Sequence, residues 1–372
     1  MILQSMELRQ FRNYEHEKID FSPQVNIFYG SNAQGKTNLI EAVYYSAFGR
    51  SFRSRNEEEI IRHGGDSFFI RGLFKDDGEE DLLIELGCSA KEFKGKINGN
   101  LIKKRSDLFG KVKIVLFSPD DLQIIKGGPQ NRREYLDFYL SQAFPRYRWS
   151  FYQFYKVLQQ RNSLLKQIKE GKASFSLLET WDESFIQKGV DLIRQRLLSL
   201  QELSPVAGKY HREVSARREN LNLRYLAFGG RALELSDDFE TLFREHLSRR
   251  RAEEIARGIS LTGPHRDDLS LTLDGGLELR SFGSQGQQRT AVLALKMSMV
   301  DLLGQATGNR PILLLDDVLS EFDDSRKQSL LTMLTFSTQT MVTTADLNSS
   351  KLFAERDLLS SANRLQHQRF DG

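Results

Sequence analysis

A split α/β fold, with its sheet assembled from both ends of the chain and a mainly helical lobe between them, is predicted by three observations. The glycine-bearing segment Gly30-Ser31-Asn32-Ala33-Gln34-Gly35-Lys36-Thr37 follows an apolar stretch at 25–29 and opens a stretch of helical period at 36–48. About 280 residues later a fully apolar run, 312–315, ends on Asp316-Asp317. The middle of the chain carries two long stretches in which apolar residues recur at helical spacing.

Taken in order, roughly the first 115 residues read as strands and turns around one helix. Residues 6–9, 16–21 and 25–29 form an expected meander leading into the glycine loop. Leu39, Ile40, Val43, Tyr44 and Ala47 then mark the apolar face of the helix. Strands are expected at 68–74, 82–88 and 93–97. Asn98-Gly99 signals a hairpin turn after the last of these, because both residues tolerate positive φ. Helices at 146–171 and 177–217, joined by Glu170-Gly171-Lys172-Ala173-Ser174, are expected to pack antiparallel as a short arm. At ~1.5 Å per residue the first spans about 40 Å, too little for a long coiled coil. Strands return at 259–261, 269–273 and 277–280, then a helix at 285–303, a strand at 311–315, a helix at 324–334 and a strand at 340–343. The expected domains are 1–118 and 259–372 for the two parts of the α/β lobe and 119–258 for the helical lobe with its arm.

Composition narrows the class. No apolar run approaches the ~20 residues of a membrane-spanning helix, and the N-terminus lacks a basic start before an apolar core, so neither span nor secretion signal is expected. The single cysteine, Cys88, lies in a strand-like run and reads as a core thiol, which fits a reducing cytoplasm. A net charge of +3 is only mildly basic, but the basic residues cluster: Arg50/Arg53/Arg55, Lys103-Lys104-Arg105, Arg132-Arg133, Arg146/Arg148, Arg217-Arg218 and Arg249-Arg250-Arg251. Solvated faces and helix ends are the plainer reading of any one cluster; contacts to nucleic-acid phosphates are the other.

Gly-x-x-x-x-Gly-Lys-Thr between strand and helix is the setting of an ATP-binding phosphate loop. Its glycines let backbone N–H groups point inward, and the helix N-terminus adds partial positive charge. Gly30 through Thr37 and the adjacent Asn38 would cradle the phosphates, with Lys36 reaching the β- and γ-phosphates and Thr37 holding Mg²⁺. The plainer alternative is a glycine turn that starts a helix. Asp316, at the carboxyl end of a buried strand, is the expected Mg²⁺-side carboxylate, and Asp317 is placed to orient or deprotonate the attacking water. Two carboxylates capping the next helix would be the bland reading.

Ser281-Phe282-Gly283-Ser284-Gln285-Gly286-Gln287-Gln288-Arg289 opens a helix with a serine, glycines and amides. Ser284, Gly286 and Gln287 resemble the signature sequence of ABC-type ATPases, and Ser320-Glu321-Phe322-Asp323 stands at the D-loop position of that family. A helix N-terminus with a serine hydroxyl is a second anion site. It is redundant within one monomer but useful against the γ-phosphate of ATP held by a second subunit. An ordinary N-capped helix is the alternative.

The motifs are similar to those of the SMC-like branch of ABC ATPases, whose head is built from both chain ends. More narrowly the whole chain resembles the RecF family. Leu8-Arg9-Gln10-Phe11-Arg12-Asn13-Tyr14, Gly49-Arg50-Ser51-Phe52-Arg53 and Phe117-Ser118-Pro119-Asp120-Asp121-Leu122 carry the likeness. So do Gly128-Pro129 with Arg132-Arg133 and Leu136-Asp137, and Gly263-Pro264-His265-Arg266-Asp267-Asp268. The resemblance implies an ATP-dependent homodimer with two sandwiched nucleotides, DNA binding, and weak DNA-stimulated ATPase activity. It also implies work with RecO and RecR to load RecA at gaps, in recombinational repair, replication and the SOS response. Three departures stand out. Ser118-Pro119-Asp120-Asp121 replaces a glutamine segment, so no Mg²⁺-ligating glutamine is assigned. Thr343-Thr344-Ala345-Asp346 replaces a switch histidine, and Asp317 is one methylene shorter than the common glutamate, which implies slow hydrolysis. Competing functions are a P-loop kinase and a non-hydrolysing structural DNA clamp. For DNA the candidate contacts are Arg50, Arg53, Arg55, Lys103, Lys104 and Arg105. His265 is expected to buttress a turn rather than to act in catalysis.

Overall fold

The computed structural model describes residues 1–30, 34–75, 81–90, 92–215, 219–333 and 338–345. The chain forms two compact units, Met1–Asp121 with Met299–Gly372, and Leu122–Ser298.

The first unit opens with β1 (Ile2–Phe11), β2 (Tyr14–Asp20) and β3 (Val25–Tyr29), then α1 (Lys36–Phe48). β4 (Ser67–Lys75), β5 (Leu82–Ser89), β6 (Phe93–Ile97), β7 (Asn100–Ile102) and β8 (Ile114–Phe117) follow. Six of these strands make an antiparallel sheet in the order β2-β1-β4-β5-β6-β7. Asn98 and Gly99, at φ 48° and 79°, turn the β6–β7 hairpin, matching the left-handed geometry a two-residue turn needs. The expected meander of the first three strands does not form. β3 leaves that sheet and pairs in parallel with a strand from the far end of the chain, because its residues Val25, Ile27 and Phe28 are all buried rather than alternating.

The second unit contains α2 (Gln123–Lys126), α3 (Pro129–Ala143), α4 (Pro145–Lys169), α5 (Ser176–Val214), β9 (Asn222–Ala227), β10 (Arg231–Ala232) and α6 (Phe239–Arg257). β11 (Asp268–Leu273), β12 (Leu277–Glu278), α7 (Leu279–Phe282) and α8 (Gln285–Thr307) complete it and carry the chain back. Pro129 and Pro145 each sit at the start of a helix, where a missing N–H costs nothing. α4 and α5 pack as the expected pair, but α6 lies against both, so they form a three-helix layer rather than an isolated arm. Leu164, Leu165 and Leu178 make a core with Trp181 and, from α6, Ile255. Two further expectations fail locally. Residues 259–261 form no strand, and the strand expected at 277–280 stops at Glu278, where α7 begins. β11 pairs with β9, so residues 259–298 belong with the helical unit instead of the α/β lobe to which their sequence assigned them.

Back in the first unit, β13 (Ile312–Asp316), α9 (Asp324–Met333) and β14 (Thr340–Thr344) finish the fold. The second sheet of this unit is parallel, in the order β3-β14-β13-β8. Both N-terminal strands lie at its edges and both C-terminal strands fill its middle. α1 packs on both sheets, and 11 of its 13 residues are buried, so it has no solvent face and little amphipathic pattern. Gly49, at φ 64°, caps its end by donating to Tyr45 O at 2.7 Å.

Candidate functional site

The phosphate-loop segment and the end of β13 meet in the first unit. Gly35 has φ 99°, and a Cβ there would lie 2.5 Å from the Asn13 side chain, so glycine is required on both counts. Tyr14 Oη donates to Gly35 O at 3.1 Å and Lys36 Nζ to Gly30 O at 3.0 Å, which fixes both ends of the loop. Ser31, Asn32 and Ala33 lie outside the described residues. Lys36 is buried. Desolvation pulls its pKa down, against the opposing pull of Asp317 and Asp316.

Thr37 Oγ1 and Thr343 Oγ1 each donate to Asp316 Oδ1 at 2.8 Å. Burial pushes the Asp316 carboxyl pKa up, while these two hydrogen bonds and the Arg53 charge hold it down. Asp317 follows in a left-handed conformation, φ 51°, and its N–H donates to Thr343 Oγ1 at 3.0 Å. Among the described residues Asp317 Oδ1 is buried without a hydrogen-bond partner, and Gln34 Oε1 is in the same condition. Thr343 thus joins both carboxylate residues. The sequence placed it only at a switch position. Its signal was register, since Thr343 on β14 sits beside Asp316 on β13. Asp346 lies outside the described residues.

These side chains fit a Mg²⁺–nucleotide. Among the described residues no three His, Cys, Asp or Glu side chains converge. Mg²⁺ sites on nucleotides use one or two protein oxygens and fill the rest with phosphate and water. A hydroxyl and a carboxylate 2.8 Å apart, beside an unsatisfied carboxylate oxygen, form that kind of donor set.

A second layer supports α1. Glu41 is fully buried and accepts from Arg12 through two hydrogen bonds, 2.9 and 2.6 Å, and from Ser51 Oγ at 2.5 Å. Arg53 donates to Asn38 Oδ1 at 3.2 Å and lies 3.9 Å from Glu41. Asn38 Nδ2 in turn donates to Asn13 Oδ1 at 2.8 Å. Arg53 is therefore a neighbour of the phosphate-loop helix. Among the other basic candidates, Arg50, Arg55, Lys103 and Lys104 are exposed. Arg105 is not one of them. Its guanidinium turns inward to Gly49 O at 2.8 Å, pairs with Glu57, and stacks over Phe93. Cys88 is the buried thiol its strand context implied, and burial pushes its pKa up.

The signature residues belong to the second unit. Ser284 and Gln287 form a reciprocal cap: Gln287 N donates to Ser284 Oγ at 3.2 Å and Ser284 N to Gln287 Oε1 at 2.8 Å. Gln287 Nε2 reaches Glu219 at 2.5 Å. Ser284 and Gln285 are exposed, so the capped start of α8 faces solvent. In the same unit His265 Nε2 donates to Ser260 O at 3.1 Å, and its ring lies against Phe154 and Phe185. Burial drops its pKa to about 3, so it is a neutral packing residue.

Comparison with known proteins agrees with this geometry. The family model described as RecF/RecN/SMC N terminal domain matches residues 2–361. A DNA replication and repair protein RecF from Symbiobacterium thermophilum is 40% identical, over 93% of this chain and 92% of its own length. The RecF of Heliobacterium modesticaldum is also 40% identical, over 94% and 93%. A solved structure of the recombination mediator RecF with ATP, from the RecFOR pathway, superposes with a TM-score of 0.84 at 36% identity, covering 92% of each chain. An Smc head domain from Pyrococcus furiosus shares the fold at a TM-score of 0.55 and 16% identity. The chain belongs to the RecF family, a branch of the wider RecF/RecN/SMC N-terminal group.

Proposed function

We propose that this protein is an ATP-dependent DNA-binding switch of recombinational repair and replication. The observation that carries the reading is the Thr37–Asp316–Thr343 hydrogen-bonded cluster beside Asp317 Oδ1, which is buried and unsatisfied among the described residues. Backbone groups from Gly30 to Asn38 bind the phosphates of ATP, and Lys36 neutralises their charge as it leaves its contact with Gly30 O. Thr37 and Asp316 would hold Mg²⁺, which would supply charge neutralisation to the phosphates. Asp317 orients the attacking water. A short aspartate on a constrained backbone makes hydrolysis slow, a timer rather than a motor. The likeness to RecF solved with ATP supports the nucleotide assignment.

Ser284, Gly286 and Gln287 complete the site of a second copy of the chain, so ATP drives a homodimer. That dimer holds DNA through backbone contacts from Arg50, Arg55, Lys103 and Lys104, with little sequence preference. Family membership supports RecO and RecR as partners and the cytoplasm as the place of work. Among the described residues no helix is long and apolar enough to cross a membrane. A P-loop kinase would have no use for an exposed, pre-capped signature helix.

Light scattering of the full chain with Mg²⁺ and a non-hydrolysable ATP analogue tests the reading. Wild type is expected to double in mass. Ser284→Arg should stay monomeric while binding one nucleotide, and Lys36→Ala should lose nucleotide affinity itself. Equal dimerisation of wild type and Ser284→Arg would sink the role of the signature in a partner's site.

A further inference from the structure

α4 differs in composition from an ordinary surface helix. Six of its 25 residues are Lys or Arg and none is Asp or Glu. Only Arg161 is buried, and Asp182 and Glu254 neutralise it at 2.8 and 2.7 Å. The other five, Arg146, Arg148, Lys156, Lys166 and Lys169, are exposed. α4 itself carries no acidic residue to pair with them one turn apart, the usual device on a solvated face.

Two large aromatics share the same face. Trp149 is 55% exposed and Tyr152 64%, one helical turn apart, while the neighbouring aromatics Tyr147 and Phe154 point into the core. Lys188 of α5 approaches the Trp149 ring, 5.5 Å from its centroid. Further along, the exposed positions are Lys156, Gln159, Gln160, Ser163, Lys166 and Gln167, which continue one polar stripe at helical spacing. Flat rings in a field of positive charge and amides recur where proteins hold single strands, because every base offers a π-face and every linkage a phosphate. The anchor of a protein interface would instead set such rings among apolar neighbours.

We propose that this face of α4 binds unpaired DNA, with Trp149 and Tyr152 stacking on bases and Arg146, Arg148 and Lys156 meeting the phosphates. The inference rests on the DNA-binding reading above and adds to it a place and a strand type. Cβ atoms one turn apart are about 5–6 Å from each other, which suits bases of an extended strand. Intact duplex hides its π-faces and gains only the phosphate contacts.

The test uses the full chain with Mg²⁺ and the non-hydrolysable analogue. Fluorescence anisotropy measures binding to oligo(dT), to a gapped duplex and to an intact duplex. Trp149→Ala/Tyr152→Ala is expected to weaken oligo(dT) and gapped-DNA binding about tenfold or more and to leave intact-duplex binding within about twofold. Trp149→Phe/Tyr152→Phe keeps the π-faces and should restore most of the loss, which also controls for folding. The chain has two tryptophans, Trp149 and Trp181, and oligo(dT) should quench emission in wild type but not in Trp149→Phe. Unchanged gapped-DNA affinity in the alanine variant, or an equal loss on intact duplex, would overturn the proposal. So would an alanine variant that loses only an acidic protein partner. Failure of wild type to bind any DNA would overturn the broader reading as well.

Discussion

Buried carboxylates occur in both units, and two sets of them are partnered in opposite ways. In the second unit Asp137 receives Arg196 through Nε at 3.0 Å and Nη2 at 2.9 Å, together with the hydroxyl of Tyr147. The same guanidinium donates to Tyr225 Oη and Pro264 O, and Tyr225 donates onward to Asp267 at 2.6 Å. Arg161 divides its donors among Asp182, Glu254 and Ser260 in the same thorough way. In the first unit Glu41 is saturated likewise, by Arg12 and Ser51. At the phosphate site, however, Asp316 is held by two threonine hydroxyls, and Asp317 keeps one buried oxygen unsatisfied among the described residues. Saturated charge specifies structure, since every donor already has its acceptor. Undersaturated charge leaves capacity that a ligand can use.

Removing a partner from the saturated set should have the largest effect. Arg196→Met leaves Asp137 buried without its cation and is expected to cost about 3–5 kcal/mol, read as a lower urea midpoint. An unchanged midpoint would break the contrast. The converse change, Asp316→Asn, removes a charge that burial already disfavours. The nucleotide-free protein should keep its stability to within about 1 kcal/mol, while Mg²⁺-dependent ATP turnover falls about a hundredfold. A large loss of stability there would place Asp316 with the structural carboxylates.

The smallest expected effect is a pH dependence inside the saturated region. His265 has its pKa lowered from 6.5 to about 3, so its contribution is complete above pH 6.5 and is lost as pH falls toward 3. Asp267 is raised from 3.8 to about 6, mainly by burial, so its contribution is present below 3.8 and is lost as pH rises through 6. Between these limits the two slopes oppose, and the wider His265 window should win. His265→Gln should therefore flatten the fall in stability between pH 6.5 and 5 by on the order of 1 kcal/mol, allowing for a ring that keeps some exposure. Urea midpoints across that range measure it. A steeper fall in the variant would reverse the ranking of the two groups.

Much of this was legible in the sequence, and the failures have physical causes. α1 and β3 have the bounds their patterns predict, because a glycine loop punctuates one end and Gly49 the other. β8 escaped notice: four consecutive buried residues carry no alternation, and nothing but burial marks them as a strand. α3 and α6 were also unmarked, since their apolar residues are sparse between charges. At the site, residue types singled out Lys36, Thr37 and Asp316, and the structure brings the last two to 2.8 Å. Thr343 and the left-handed turn at Asp317 depend on strand register and backbone angle, which one sequence does not display. Arg105 shows the reverse error, in which a basic run looked like surface until Glu57 and Gly49 claimed its third member.

The order β3-β14-β13-β8 has a consequence for how the protein comes into being. A ribosome delivers the two outer strands first and the two inner ones last. With synthesis at about 5–20 residues per second, β3 waits on the order of 15–60 s for the neighbour that pairs with it. During that time the nascent chain displays two unpartnered apolar edges and an unbacked α1. The nucleotide pocket is thus complete only once β14, the last of the described elements, has been made. Chaperone demand should track translation speed over the final stretch of the message.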